Sequence, residues 1–171
     1  MTHIRELLNS ITDLSAEDED GDEITVQLQD PLSAEELEIL IGKLPLPQEL
    51  REFYSVTNGM DLLTEELYDA DSLQYVQGFI PFHSFDNGDF TCIATKKSEY
   101  PEGSVLFMNH GPDSVVQVAD SLCDWVEKVV AEVQAKGGLL HPADYYRHPD
   151  EQGVFSHVLN ELKERGSELH G

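Results

Sequence analysis

Leu44-Pro45-Leu46-Pro47-Gln48-Glu49-Leu50-Arg51-Glu52-Phe53-Tyr54-Ser55-Val56-Thr57-Asn58-Gly59-Met60 reads as a short helix with both ends marked. Pro47 stands where a first helical residue loses nothing by lacking an N–H. Leu50, Phe53, Tyr54 and Thr57 recur at helical spacing and form one apolar-leaning face. Asn58-Gly59 then supplies a left-handed stop, a geometry that Gly and Asn accept at low cost.

Working outward, the upstream sequence predicts three elements. Ile4, Leu7, Leu8, Ile11 and Leu14 fall on one face of a first helix. Residues Ser15 to Glu23 form an acidic loop, after which Ile24, Val26 and Leu28 alternate with polar residues as in a half-buried strand. Ser33 and Glu36 have the spacing of a capping box opening a helix through Leu37, Leu40 and Ile41.

Downstream, Asp61 to Asp71 is acidic and irregular, and predicts a loop with a helical turn. A meander of about four strands follows, over Leu73–Phe82, Phe90–Thr95, Val105–Asn109 and Val115–Val118. Asp120 or Ser121 caps a long helix carrying Leu122, Trp125, Val126, Val129, Val130 and Val133, ended by Gly137-Gly138. His141 to Gln152 reads as a loop, and Phe155, Val158, Leu159 and Leu162 mark a last short helix. The expected fold is α+β: a single domain over residues 1–171, with a mostly antiparallel sheet of about four to six strands packed against helices at both chain ends.

The helix from Leu44 to Asn58 resembles the opening helix of the SUKH superfamily (Smi/Knr-like domain), with the pattern LP-x-x-[L/Y]-x-x-F-[Y/L]-x-x-x-NG. Gly78 to Ile93 is similar to that family's central hairpin, in which a Gly-Asp pair, here Gly88-Asp89, precedes a strand. Val105 to Val126 is similar to its last strand pair running into a helix that begins A-x-S-[L/F]-x-x-[W/F]-[V/L], here from Ala119 to Val126. The segments occur in family order over about residues 34–133, leaving 138–171 as a C-terminal extension.

Composition bounds the function. The chain has 34 acidic and 10 basic residues, a formal charge of −24, in a sequence 40% hydrophobic and 8% aromatic. That is a globular composition rather than an acidic disordered tail. So few Lys and Arg argue against nucleic acid or an anionic membrane as a direct partner. The acidity favours a basic protein partner, or serves solubility. Cys92 and Cys123 form no disulfide framework, and no run approaches the roughly 20 apolar residues of a membrane span. The N-terminus lacks a basic region followed by a long apolar core. A cytoplasmic protein is expected.

Reactive chemistry has little support. Asp18, Asp20 and Asp22 begin a calcium-loop pattern, but Glu23 stands where the turn glycine belongs and Gln29 where the bidentate Glu belongs. His141, Asp144 and His148 match no metal spacing, and Pro142 and Pro149 fit an irregular surface loop. His83, His110 and His157 are isolated. No nucleophile elbow, phosphate-cradling glycine loop or His-Glu-x-x-His helix is present. Cys92 fits a strand and Cys123 a helix, where cysteine is usually structural, and Trp125 lies at core spacing. No cofactor, metal or catalytic residue is expected.

The resemblance implies a non-catalytic protein-binding module, largely of the immunity type that binds and neutralises a cognate toxin, often a nuclease. A basic toxin domain would meet carboxylates on this chain. The candidates are Glu65, Glu66, Asp69 and Asp71 after the Asn-Gly stop, and Asp86 and Asp89 at the hairpin turn. They form one negative patch if the family fold brings the segments together, or solvated loops if it does not. A regulatory scaffold related to fungal cell-wall regulators is the alternative. A hydrolase using Cys92, Cys123 or a His–Asp pair is a further one.

Overall fold

The computed structural model describes residues 3–85, 88–109 and 115–145. Helix α1 (Ile4–Ile11) buries Ile4, Leu7, Leu8 and Ile11, the face set by its sequence periodicity. Strands β1 (Ser15–Glu17) and β2 (Glu23–Thr25) form an antiparallel hairpin. The chain then switches sheets at buried Val26, and β3 (Gln27–Leu28) pairs elsewhere. Helix α2 (Ala34–Lys43) opens on the expected capping box, with Ser33 and Glu36 each bonding the other's backbone N–H. Helix α3 (Gln48–Val56) buries Leu50, Phe53 and Tyr54.

A second hairpin follows, β4 (Met60–Leu62) and β5 (Glu65–Leu67), and β3 adds to it in the order β3-β4-β5. After a 3-10 turn at Ala70–Ser72 comes the meander β6 (Phe79–Ser84), β7 (Phe90–Ala94), β8 (Val105–Met108) and β9 (Val115–Ala119), antiparallel throughout. The Tyr68 N–H donates to the Phe82 carbonyl at 2.9 Å, which joins the two sheets. Helix α4 (Leu122–Lys136) and one helical turn, α5 (Pro142–Tyr145), complete the described chain.

One core cluster takes side chains from Ile4 through Tyr145. Along β8 the side chains alternate, Val105 and Phe107 toward this core, Leu106 and Met108 toward a second cluster with Phe79, Cys92, Ala94 and Val115. Both faces of the meander are therefore apolar, which explains its near-continuous hydrophobic runs. Trp125 is fully buried and meets Phe82 edge to face at 5.1 Å. No helix among the described residues is long and apolar enough to cross a membrane.

The fold class is as expected, and several local readings change. The acidic loop after α1 contains β1, and the loop expected at Asp61 to Asp71 is the β4–β5 hairpin followed by a 3-10 turn. These three strands, β1, β4 and β5, are three residues long and escape a pattern search that needs four or more. Pro47 is the N-cap of α3 rather than its first helical residue, and α3 ends in extended backbone at Thr57. The left-handed stop at Asn58-Gly59 is thus not the helix cap: Gly59, at φ +83°, lies two residues beyond Thr57. Pro142–Tyr145 is helical where a loop was expected, and the helix expected around Phe155 to Leu162 lies outside the described residues.

Glu49 explains how two of the resemblance-bearing segments meet. Its carboxylate accepts from the backbone N–H groups of Leu122 and Cys123, the latter at 3.1 Å, so α3 caps the start of α4. The Ser121 side chain caps the same end by accepting from the Asp124 N–H. A carboxylate there also complements the positive end of the helix.

Candidate functional site

The β4–β5 hairpin sorts the acidic residues by strand alternation. Its register pairs Met60 with Leu67, Asp61 with Glu66 and Leu62 with Glu65. Met60, Leu62, Glu65 and Leu67 point inward, whereas Asp61 and Glu66 are exposed. Two carboxylates directly opposite one another across a strand pair repel. They face a cleft of about 380 Å³ that Gln29, Asp30, Asn58 and Asp69 also line. Asp30, Asp61, Glu66 and Asp69 have no cationic partner among the described residues.

Three residues after α3 build this cleft. The Thr57 hydroxyl, fully buried, accepts from the Gln29 N–H at 2.8 Å and donates to the Gly59 carbonyl. The Asn58 N–H donates to the Asp30 carbonyl at 3.1 Å, and its side-chain oxygen accepts from the Ala70 N–H at 2.8 Å. Gly59 lets the backbones approach: a Cβ there would lie 2.9 Å from both the Leu67 carbonyl oxygen and the Asp69 nitrogen. The Asn-Gly pair, read from sequence as a helix stop, is the clasp of the cleft.

Of the carboxylates expected at a partner surface, Glu66, Asp69 and Asp71 are exposed. Asp69 caps the 3-10 turn through the Ser72 N–H and hydroxyl. Glu65 and Asp89 are corrections, at 5% and 3% exposed. The inward phase of β5 buries Glu65, and the Phe85 N–H holds Asp89 in place by donating to its carbonyl at 2.9 Å. Asp86 lies outside the described residues. Asp30 and Asp61 were missed by the sequence reading. The signal for Asp61 was available: Met60-Asp61-Leu62 alternates with period two.

Glu65 instead anchors a buried polar network. Its Oε1 lies 2.9 Å from His83 Nε2, and its Oε2 accepts from the Leu140 N–H and the Thr64 hydroxyl, each at 2.9 Å. His83 Nδ1 is 2.9 Å from Thr91 Oγ1, which is 3.0 Å from the Tyr145 hydroxyl, and Trp125 Nε1–H donates to that hydroxyl at 3.0 Å. Burial pushes the Glu65 carboxyl up most strongly as a single influence, but His83, the Leu140 N–H and Thr64 together hold it below the usual value. With a neutral imidazole, one direction of donation runs from Trp125 through Tyr145, Thr91 and His83 to the carboxylate.

Glu65, His83 and Thr91 have the group types of a hydrolytic triad, but Thr91 is fully buried and its hydroxyl is engaged by Tyr145. A substrate carbonyl has no approach to it, and the network fastens β5, the meander, α4 and α5 together. Neither cysteine is poised as a nucleophile. Burial pushes the Cys92 thiol up, and burial with nearby Glu49 raises that of Cys123 to about 12. Neither cysteine is in a disulfide, and both are buried, in different core clusters.

The remaining polar groups have local duties. The carboxylate oxygens of Asp18, Asp20 and Asp22 lie within 4.8 Å of one another, and Asp18 ties the β1–β2 turn by accepting from the N–H groups of Asp20 and Asp22. Asp144 accepts from the His141 N–H at 2.8 Å and pairs with Lys136 at 2.7 Å, so it fixes α5. His148, His110 and His157 lie outside the described residues. A second cleft of about 640 Å³ runs between Thr64–Tyr68, Ser84–Phe85 and Leu139–Pro142, with Glu65 in its wall.

Comparison with known proteins places this geometry. No curated protein matches the chain. The model of one family matches residues 31–128, more than half of the sequence, from just before α2 into α4. Domains of that family are generally non-catalytic. The helix capped by Ser33, the clasp at Asn58-Gly59, the four-stranded meander and the Ser121-capped start of α4 fall within the match, and the chain belongs to the SMI1 / KNR4 family (SUKH-1).

Proposed function

We propose that this chain is a cytoplasmic binding module of the immunity type, which neutralises a basic toxin domain such as a nuclease. The observation that carries this reading is the cleft walled by Asp30, Asp61, Glu66 and Asp69, carboxylates without a cationic partner among the described residues. Carboxylates held apart from internal cations keep their charge available for a partner. Nuclease sites are basic because they hold phosphates, so an acidic rim can occupy them in place of nucleic acid. Opposed charges also steer encounter, raising association rates toward about 10⁸ M⁻¹s⁻¹ at low salt.

Co-expression with the product of the adjacent gene tests the reading, scored by survival and by co-purification. Rescue from toxicity with a stable complex, lost on charge reversal of Asp61 and Glu66, is the expected result. Absence of both toxicity and complex would move the weight to a regulatory scaffold.

A further inference from the structure

An apolar groove is lined by chain neighbours of the residues that line the acidic cleft. Between α2 and the 3-10 turn lies a depression of about 360 Å³ floored by Leu32, Leu40, Leu44 and Leu73. Ile39 stands at its edge and is 57% exposed, although its helix turns other apolar side chains inward. Glu36, Asp71 and Lys43 rim it, and Glu35 and Glu38 are exposed on the same helix. Two segments contribute to both groove and cleft. Asp30 lines the cleft and Leu32 the groove, and Asp69 lines the cleft while Ala70 and Asp71 line the groove. Asn58 bonds both segments, through the Asp30 carbonyl and the Ala70 N–H.

The geometry points to a two-part docking surface for a short segment of a partner protein, with an apolar anchor residue seated in the groove and Lys or Arg in the acidic cleft. This deepens the proposed function and rests on its basic partner. The groove volume suits one or two apolar side chains, not a folded face. Excess carboxylate on its rim selects against acidic flanks and favours basic ones. Along the first of these segments the two halves are offset by two residues, from Asp30 to Leu32, which is at most about 7 Å of chain. A segment that fills both therefore places its cation two to four residues from its anchor. Without the groove, an acidic cleft attracts any basic surface; the anchor is what makes the choice specific.

Selection of random dodecapeptides displayed on phage, against the whole chain, tests this. Enriched peptides are expected to carry Leu, Ile, Phe or Trp within four residues of Lys or Arg. One such peptide, labelled, is expected to bind Ile39→Ser at least fivefold more weakly at unchanged melting temperature. The pair Asp61→Asn with Glu66→Gln should weaken it similarly and flatten its salt dependence. Peptides rich in Lys and Arg alone, indifferent to Ile39→Ser, would overturn the anchor and leave the basic-partner reading standing. Enriched peptides without basic residues would overturn the two-part surface, and the basic-partner reading with it. A selection that enriches nothing would overturn the docking surface, while rescue by co-expression would still support the immunity role through another face.

Discussion

Glu65 and Glu66 are neighbours in sequence with opposite fates. The first sits in the core, its carboxylate engaged by His83, Leu140 and Thr64; the second stands in solvent opposite Asp61. The same side chain is a structural keystone in one strand phase and an unpaired surface charge in the next. A count of acidic residues cannot separate these roles, because the phase of a three-residue strand decides them. Acidity in this chain is therefore two things, an internal hydrogen-bond acceptor and an external field.

Substitution should break the symmetry of the pair. Glu65→Ala leaves His83 Nε2 and the Leu140 N–H buried without their acceptor, and should cost about 3 kcal/mol in urea denaturation. Glu66→Ala should stay within about 0.5 kcal/mol of the parent. Similar losses for both would erase the distinction. The Glu65 contribution also has a pH signature. Its folded carboxyl titrates lower than its unfolded one, so the folded state binds fewer protons. That stability is present above the unfolded value of about 4.3 and is lost as pH falls through the folded value. Glu65→Gln should remove this part of the acid slope, whereas Glu66→Gln should leave it in place.

Smaller effects sharpen the contrast along the outer face. Gly59→Ala forces a Cβ against two backbone atoms at positive φ, and should cost about 2 kcal/mol by thermal or urea melts. Asn58→Ala removes the bond to Ala70 and should cost about 1 kcal/mol. It should also weaken partner binding, which a purely internal bond would not do. Asp61→Asn relieves the repulsion with Glu66 and should stabilise by about 0.2–0.5 kcal/mol at low salt, a gain that shrinks as salt is added.

Long periodic elements were legible because many residues vote for one face. Leu122, Trp125, Val126, Val129 and Val133 place α4, and the strands of the meander follow from their apolar runs. The Ser33–Glu36 spacing announced α2, and of the two caps open for α4, Asp120 and Ser121, the helix uses Ser121. The acidic surface was only half legible. Glu66, Asp69 and Asp71 are on it, but Asp30 and Asp61 join through pairing between segments far apart in sequence. The role of Asn58 was hidden for the same reason, since its partners Asp30 and Ala70 lie on other elements. Glu65 was misread because a carboxylate is rarely buried unless it is paired, and its partner His83 sits 18 residues away.

Glu49 carries a consequence for how the chain emerges from the ribosome. Its carboxylate waits for the N–H of Leu122, 73 residues further on. At usual synthesis speeds that is a delay of roughly 4–15 s, during which α3 exists without the helix it caps. The N-terminal half is thus born unfinished, and a chaperone or a stalled ribosome meets it before its closing helix has been made.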